Sequence, residues 1–162
     1  MKKEIFNLLN TQVQKEFESA YIYLYFASYF DANGLCGFGN WYKMQAQEEI
    51  SHGMKIYDYL HETDETLRLL PIGAPDLETD SIIQVLEETL EHEEYVTALI
   101  NTIYAEAVNA HDYRTRNFLE WFISEQREEE AQVQVLIEKY SLFGTEGSGL
   151  MLLDKELSKR CK

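Results

Sequence analysis

Four stretches of this chain repeat apolar side chains every three or four residues, and each interrupts its stripe with a glutamate near the middle. That spacing predicts amphipathic helices, because residues so spaced share one face of a 3.6-residue turn. The first stripe, over about residues 4–31, is Ile5, Leu9, Gln12, Glu16, Ala20, Tyr23, Ala27 and Phe30. The second, over about 38–62, is Trp41, Gln45, Glu49, His52, Ile56 and Tyr59. The third starts near Asp80-Ser81, both good helix caps, and continues as Ile82, Leu86, Leu90, Glu93, Val96, Ile100, Ile103 and Ala107. The fourth, over about 112–142, is Phe118, Phe122, Gln126, Glu129, Val133, Leu136 and Tyr140. Burying one bare carboxylate costs on the order of several kcal/mol even after relaxation. Four that converge also repel one another. A pair of metal cations offsets both costs, so the pattern predicts a dinuclear metal site inside an all-α bundle.

The connections fix how the helices run. Asn33-Gly34 with Gly37 and Gly39 marks a short break between the first two, and the third and fourth are also closely linked. Short links pair helices antiparallel. The second-to-third link, 63–79, contains Pro71, Gly73 and Pro75 and reads as a loop. Its roughly 17 residues reach ~55 Å when extended. A helix of about 26 residues is only ~39 Å long. The link can therefore cross the whole bundle and leave helices two and three parallel, which brings the four glutamates to one height. Gly144 and Gly147-Ser148-Gly149 end the fourth helix, and a short apolar tail helix follows from Leu150 to about Lys159. The expected organisation is one domain over 1–162, with the bundle over about 4–142 and the tail over about 150–159.

Composition excludes several classes. The length of 162 residues suits one domain. A hydrophobic content of 45% with two prolines favours a helical globular fold over disorder or a β-rich one. A net charge of −15 argues against a nucleic-acid surface, which needs a basic stripe, and attracts cations instead. No run is apolar for long enough to span a membrane. The start, Met1-Lys2-Lys3-Glu4, lacks the apolar stretch of a signal peptide, and Cys36 and Cys161 show no metal-ligand or disulfide-framework spacing. A cytoplasmic setting is the expectation.

Carboxylates plus one imidazole suit iron, manganese or zinc. Glu49 and His52, at i and i+3, share a helical face and can share a metal. Alone, such a pair reads as surface charge; here three other helices repeat the anomaly. Tyr23 lies two turns after Glu16, where its hydroxyl can bond a ligand carboxylate or take part in electron transfer, or simply belong to the core. Tyr21, Tyr25 and Tyr29 read as core tyrosines, Trp121 as core packing, and His61, His92 and His111 as solvated. Glu48, Glu125, Glu128 and Glu129 form a candidate further, more exposed metal site, against the alternative of a solvated acidic face.

Taken together, Glu16 with Tyr23, Gln47-Glu48-Glu49-Ile50-Ser51-His52, Glu93, and Ser124-Glu125-Gln126 followed by Glu128-Glu129 resemble the motifs of non-haem bacterial ferritins. The resemblance covers nearly the full length. It implies a ferritin-like four-helix bundle with one long crossover plus a short fifth C-terminal helix. It implies a ferroxidase di-iron centre in which Glu16, Glu49 and His52 hold the first iron and Glu49 bridges. Glu93 and Glu129, with Gln126 beside them, hold the second, and Tyr23 belongs to the same centre. It assigns Glu48, Glu125, Glu128 and Glu129 to a third iron site. It places the tail helix near the four-fold axes of a 24-subunit shell, with the face of Leu150, Leu153 and Leu157 packed on neighbouring subunits. The implied function is iron storage, with Fe(II) oxidised by dioxygen or hydrogen peroxide. No haem is expected. Ile50 stands where bacterioferritins carry the haem-binding methionine, Met54 does not match it, and Gln126-x-x-Glu129 replaces their second Glu-x-x-His. Rubrerythrins carry a Cys-x-x-Cys iron domain that this chain lacks. The rival readings are a di-iron or di-manganese oxygenase or peroxidase with an external substrate, and a metal-free helical interaction bundle.

Overall fold

All four stripes form helices in the computed structural model, which describes residues 1–77, 79–145 and 147–159. α1 spans Lys3–Ala32, α2 Cys36–Glu62, α3 Ile82–Asn109, α4 Tyr113–Lys139 and α5 Gly147–Leu157. A π turn, Tyr140–Gly144, joins α4 to α5. No strand occurs among the described residues, and no helix among them is long and apolar enough to cross a membrane.

Helix starts follow their caps. The Ser81 hydroxyl accepts the Gln84 N–H at 3.3 Å and opens α3, a cap worth about 1 kcal/mol. The Asp112 carboxylate accepts the Thr115 N–H at 3.1 Å and opens α4. α2 has no local side-chain cap. Its first N–H groups, on Gly37 and Phe38, instead donate to Asp154 Oδ1 of α5 at 2.8 and 3.0 Å. Gly37 and Gly39 were expected to break the chain, yet both lie inside α2. Gly37 is there for space: a Cβ on it would fall 1.7 Å from the Asp154 carbonyl oxygen. The break itself is carried by Gly34, at φ +76°.

The crossover lies along α1. Asn10 clamps Arg68 through both its amide atoms, at 2.9 and 2.7 Å. Gln14 donates to the Pro71 carbonyl at 3.0 Å and the Tyr25 hydroxyl to that of Leu77 at 3.2 Å. The link therefore runs in the direction of α1. Phe26 and Phe30 of α1 pack with Val85 and Leu86, whereas Ile5 and Leu9 pack with Ile100 and Ile103. α1 is thus antiparallel to α3 as well as to α2, which makes α2 and α3 parallel as the link length predicts.

Two apolar clusters fill the ends of the bundle. One gathers Tyr23, Phe26, Phe30, Phe38, Tyr42, Leu86, Val133 and Leu136; the other gathers Leu9, Val13, Ile56, Leu60, Ile100, Leu119 and Phe122. Their removal from water drives the fold, at about 1.5–3 kcal/mol for each large side chain. Between them lies a buried polar layer at the height of the four glutamates.

Three expectations need correction here. Tyr21 is 51% exposed, Tyr25 is also exposed and Tyr29 is half-buried, because their positions leave the inward stripe that Tyr23 occupies. The α5 face of Leu150, Leu153 and Leu157 packs on this chain's own first cluster, with Leu153 buried. The large apolar side chains left exposed at this end are Leu142, Phe143, Met151 and Leu152. α5 also begins at Gly147 rather than Leu150, while α4 stops at Lys139 before the π turn. Cys36 is exposed and unpaired; Cys161 lies outside the described residues.

Candidate metal centre

Each helix delivers its carboxylate to the middle layer because the stripe that buries its neighbours buries it too. Glu16 from α1, Glu49 and His52 from α2, Glu93 from α3, and Gln126 and Glu129 from α4 are all buried. Ligand atoms of Glu16, Glu49 and His52 lie within 4.8 Å of one another. On the other side, the Tyr23 hydroxyl donates to Glu93 Oε1, and Gln126 Nε2 donates to Glu93 Oε2 at 3.1 Å. Glu129 Oε2 is held at 2.8 Å by the Gln45 amide, and the charge of Glu93 acts on Glu129.

The layer is incompletely satisfied. Glu16 Oε2, His52 Nδ1 and Gln45 Oε1 are buried with no hydrogen-bond partner among the described residues. His52 Nδ1 stands 3.5 Å from Glu49 Oε2 without bonding it. Such orphans normally cost about 1–3 kcal/mol each, so native proteins avoid them. Here they are lone pairs of oxygen and imidazole nitrogen turned into one polar layer. This donor set fits a divalent metal and explains why the orphans exist.

Electrostatics agrees. Burial pushes the Glu16 carboxyl well above the usual range, helped by the charge of Glu49. Burial does the same for Glu49, helped by Glu93. Glu93 is raised to about 7 by burial, against the opposing hydrogen bonds of Tyr23 and Gln126. Glu129 is raised to about 7 by burial and then by the charge of Glu93. Tyr23 is pushed well up by burial and by Glu93, which keeps it a proton donor. Cations placed in the layer would let its carboxyls ionise.

The acidic run on α4 is brought together only in part. Ligand atoms of Glu125, Glu129 and His52 lie within 4.8 Å of one another, and Glu125 Oε1 is 3.7 Å from His52 Nε2. Glu48 is half-buried and adds its charge near Glu49 and Glu129. Glu128 is exposed and belongs to neither group, since it sits one residue round the helix from Glu129. Trp121 corrects the core expectation. It is 38% exposed and edge-on to the His52 ring at 5.5 Å, with the Lys55 ammonium 4.3 Å over its indole. His92 also departs from the solvated reading. Its Nε2 is 2.7 Å from Ser19 Oγ, its ring packs edge-on to Tyr23 at 5.9 Å, and burial lowers it to about 4. His61 and His111 are exposed as expected. Sequence reasoning gave no role to Gln12, whose amide donates to Glu16 Oε1 at 3.0 Å, or to Gln45. Both were visible as polar members of an apolar stripe.

A ferritin-like domain profile matches residues 6–143. A bacterial non-haem ferritin from Campylobacter jejuni is 39% identical over 155 residues, covering 96% of this chain and 93% of that protein. One from Staphylococcus saprophyticus is 38% identical over 160 residues, covering 99% and 96%. The open-pore ferritin of the archaeon Archaeoglobus fulgidus superposes with a TM-score of 0.97 at 41% identity, covering 99% of each chain. With a ferritin-like domain match over most of its length and relatives of 38–41% identity along nearly all of it, this chain belongs to the ferritin family.

Proposed function

We propose that this chain is an iron-storage ferritin that oxidises Fe(II) at the buried layer and holds the ferric product inside a shell of identical subunits. The observation that carries this reading is the set of orphaned donors, Glu16 Oε2 and His52 Nδ1, grouped with Glu49 in a fully buried layer. Glu16, Glu49 and His52 would take one Fe(II), and Glu93 and Glu129 the second, with Glu49 between. The four glutamates supply four negative charges against the four positive charges of two Fe(II). Each Fe(II) gives up one electron, so the pair reduces dioxygen by two electrons, with two protons, to hydrogen peroxide; peroxide can serve as oxidant in its turn. Iron is substrate here, and the carboxylates hold it without the tightness of thiolates.

The protein's own part is proton and geometry control. Burial raises Glu93 and Glu129 to about 7, so Fe(II) binding at these carboxylates would release their protons. Tyr23 and Gln126 hold Glu93 by both its oxygens, which fixes its plane. Glu125, half-buried beside His52, offers a step between the solvent side and the centre. That supports a further iron position at Glu125, Glu129 and His52, with Glu48 nearby and Glu128 outside it.

An external organic substrate would need a cavity at the metals. A groove of about 660 Å³ lined by Gln47, Ile50, Met54, Lys55 and Trp121 touches none of the ligands. A metal-free bundle would leave the orphans unexplained. Self-assembly is supported by the exposed Leu142, Phe143, Met151 and Leu152 at the α5 end and by Tyr21, Leu24, Ile50 and Met54 elsewhere. The count of 24 subunits follows from the resemblance alone. A cytoplasmic setting fits the free Cys36 thiol. The test is sizing with iron analysis: a large oligomer carrying far more than two irons per chain supports storage, and a monomer with two or none refutes it.

A further inference from the structure

We infer that Gln12 and Gln45 are positioning residues that divide the metal centre into two separately supported halves. This inference rests on the reading of the buried layer as a two-metal site. Three glutamines line that layer, and each gives an amide N–H to a different carboxylate. Gln12 Nε2 donates to Glu16 Oε1 at 3.0 Å, Gln45 Nε2 to Glu129 Oε2 at 2.8 Å, and Gln126 Nε2 to Glu93 Oε2 at 3.1 Å. An ionised carboxylate only accepts hydrogen bonds, so the nitrogen of each amide must face it. Glu49 alone receives no amide among the described hydrogen bonds. On Glu16 and Glu129 one oxygen is held by an amide and the other is left, as the orphaned Glu16 Oε2 shows directly. A carboxylate pinned at one oxygen can offer a metal the other. A carboxylate that takes no amide at either oxygen can lie between two metals.

The route of each amide matters. Gln12 acts within its own helix, one turn before Glu16. Gln45 sits one turn before Glu49 but crosses from α2 to Glu129 on α4. It therefore ties the second half of the site to the helix that carries the first. Gln45 is fully buried and leaves its own Oε1 without a partner. An apolar side chain would fill that space without an orphan, so a packing role alone does not account for the amide. Partners outside the ligand set that fix a ligand's orientation typically change metal affinity by about 10–100-fold when removed. They add no charge, and an amide supports the carboxylate without competing with the metal.

The test is Co(II) titration of the assembled protein, followed by visible absorption and calorimetry, with Gln12→Met and Gln45→Met. Methionine matches glutamine in length and volume and has no N–H. The parent should bind two Co(II) per chain in the buried centre; a parent that binds none refutes the metal reading itself. Gln12→Met should weaken the cobalt held by Glu16, Glu49 and His52 by about tenfold or more and leave the other within threefold, roughly. Gln45→Met should do the reverse, and the band that carries the His52 nitrogen should persist. Gln45→His, which restores a ring N–H, should recover part of the loss. Thermal melting of the metal-free variants should stay at or above that of the parent, because no charged group is added. A parent with two cobalts and variants that match it would overturn the inference. So would equal weakening of both cobalts by each variant, which is what general loosening of the core would give.

Discussion

The two ends of the bundle and its middle treat buried polar groups in opposite ways. At one end the Tyr42 hydroxyl meets Thr89 Oγ1 at 2.7 Å, and Thr89 donates onward to the Val85 carbonyl at 2.7 Å. At the other, Tyr59 meets Thr115 Oγ1 at 2.8 Å, and Thr115 donates to Asp112 Oδ2 at 2.8 Å. Every hydroxyl hydrogen in these pairs has an acceptor. In the middle layer, Glu16 Oε2, Gln45 Oε1 and His52 Nδ1 have none, and four carboxyls are held above their ordinary range. Among the described residues one orphan lies at an end, Arg116 Nε, 3.6 Å from Glu120 Oε1, while the other three gather in the middle layer. The difference teaches that the open acceptors cluster where the four glutamates meet.

The strongest way to break the comparison is at Glu49. Replacing a candidate ligand exceeds the loss from removing a supporting residue, so Glu49→Ala should slow rapid Fe(II) oxidation by more than about 100-fold. Stopped-flow rates equal to the parent's would end the dinuclear assignment. Stability should move the other way. Burial and the neighbouring carboxylates disfavour the charged form of Glu49 in the metal-free protein, and a neutral amide removes that cost. Glu49→Gln should therefore melt higher than the parent without metal and lose the parent's gain when Zn(II) is added. A drop in the metal-free melting temperature would show that the carboxyl is structurally needed.

The middle layer also sets a pH dependence that the ends lack. Glu93 and Glu129 sit at about 7 when folded, against an ordinary value of 4.5. The folded, metal-free protein therefore binds these protons more tightly than the unfolded chain. That contribution is fully present below 4.5 and is lost as the pH rises through about 7. Melting of the metal-free protein should fall across this window, and saturating Zn(II) should reverse the trend. A flat profile would mean that the two carboxyls titrate normally.

Smaller effects sharpen the picture. Glu125→Ala should leave the first oxidation phase within a few-fold of the parent, roughly, and slow later turnover, whereas Glu128→Ala should change neither; equal effects would restore the wider acidic cluster. Smallest of all, Tyr59→Phe removes one satisfied hydrogen bond and should cost about 1 kcal/mol by denaturant unfolding with no change in oxidation.

Helix positions, the crossover and the buried polar layer were legible because each has a linear signature. Glu16, Glu49, Glu93 and Glu129 interrupt apolar stripes, and the 63–79 link has the length its path requires. What escaped depends on neighbours distant in the chain. His92 is half-buried, and Ser19, 73 residues earlier, meets its Nε2. Trp121 lies outside the core yet against His52, which only the α2–α4 approach reveals. Tyr21 and Tyr25 fell outside because an aromatic-rich segment looks apolar all round, while only every third or fourth residue points inward. Gln12 and Gln45 stood in plain sight in the stripes. Their partners differ, one within its own helix and one across the bundle, and spacing alone does not separate those cases.

The cap on α2 has a consequence for biogenesis. Asp154 holds the first N–H groups of the helix that carries Glu49 and His52, and it lies 117 residues downstream of Gly37. While the chain is still being made, that helix has no side-chain cap of its own. Those N–H groups gain their acceptor only once α5 has been synthesised and has folded back. The start of the helix that carries Glu49 and His52 is therefore capped only after translation has passed Asp154.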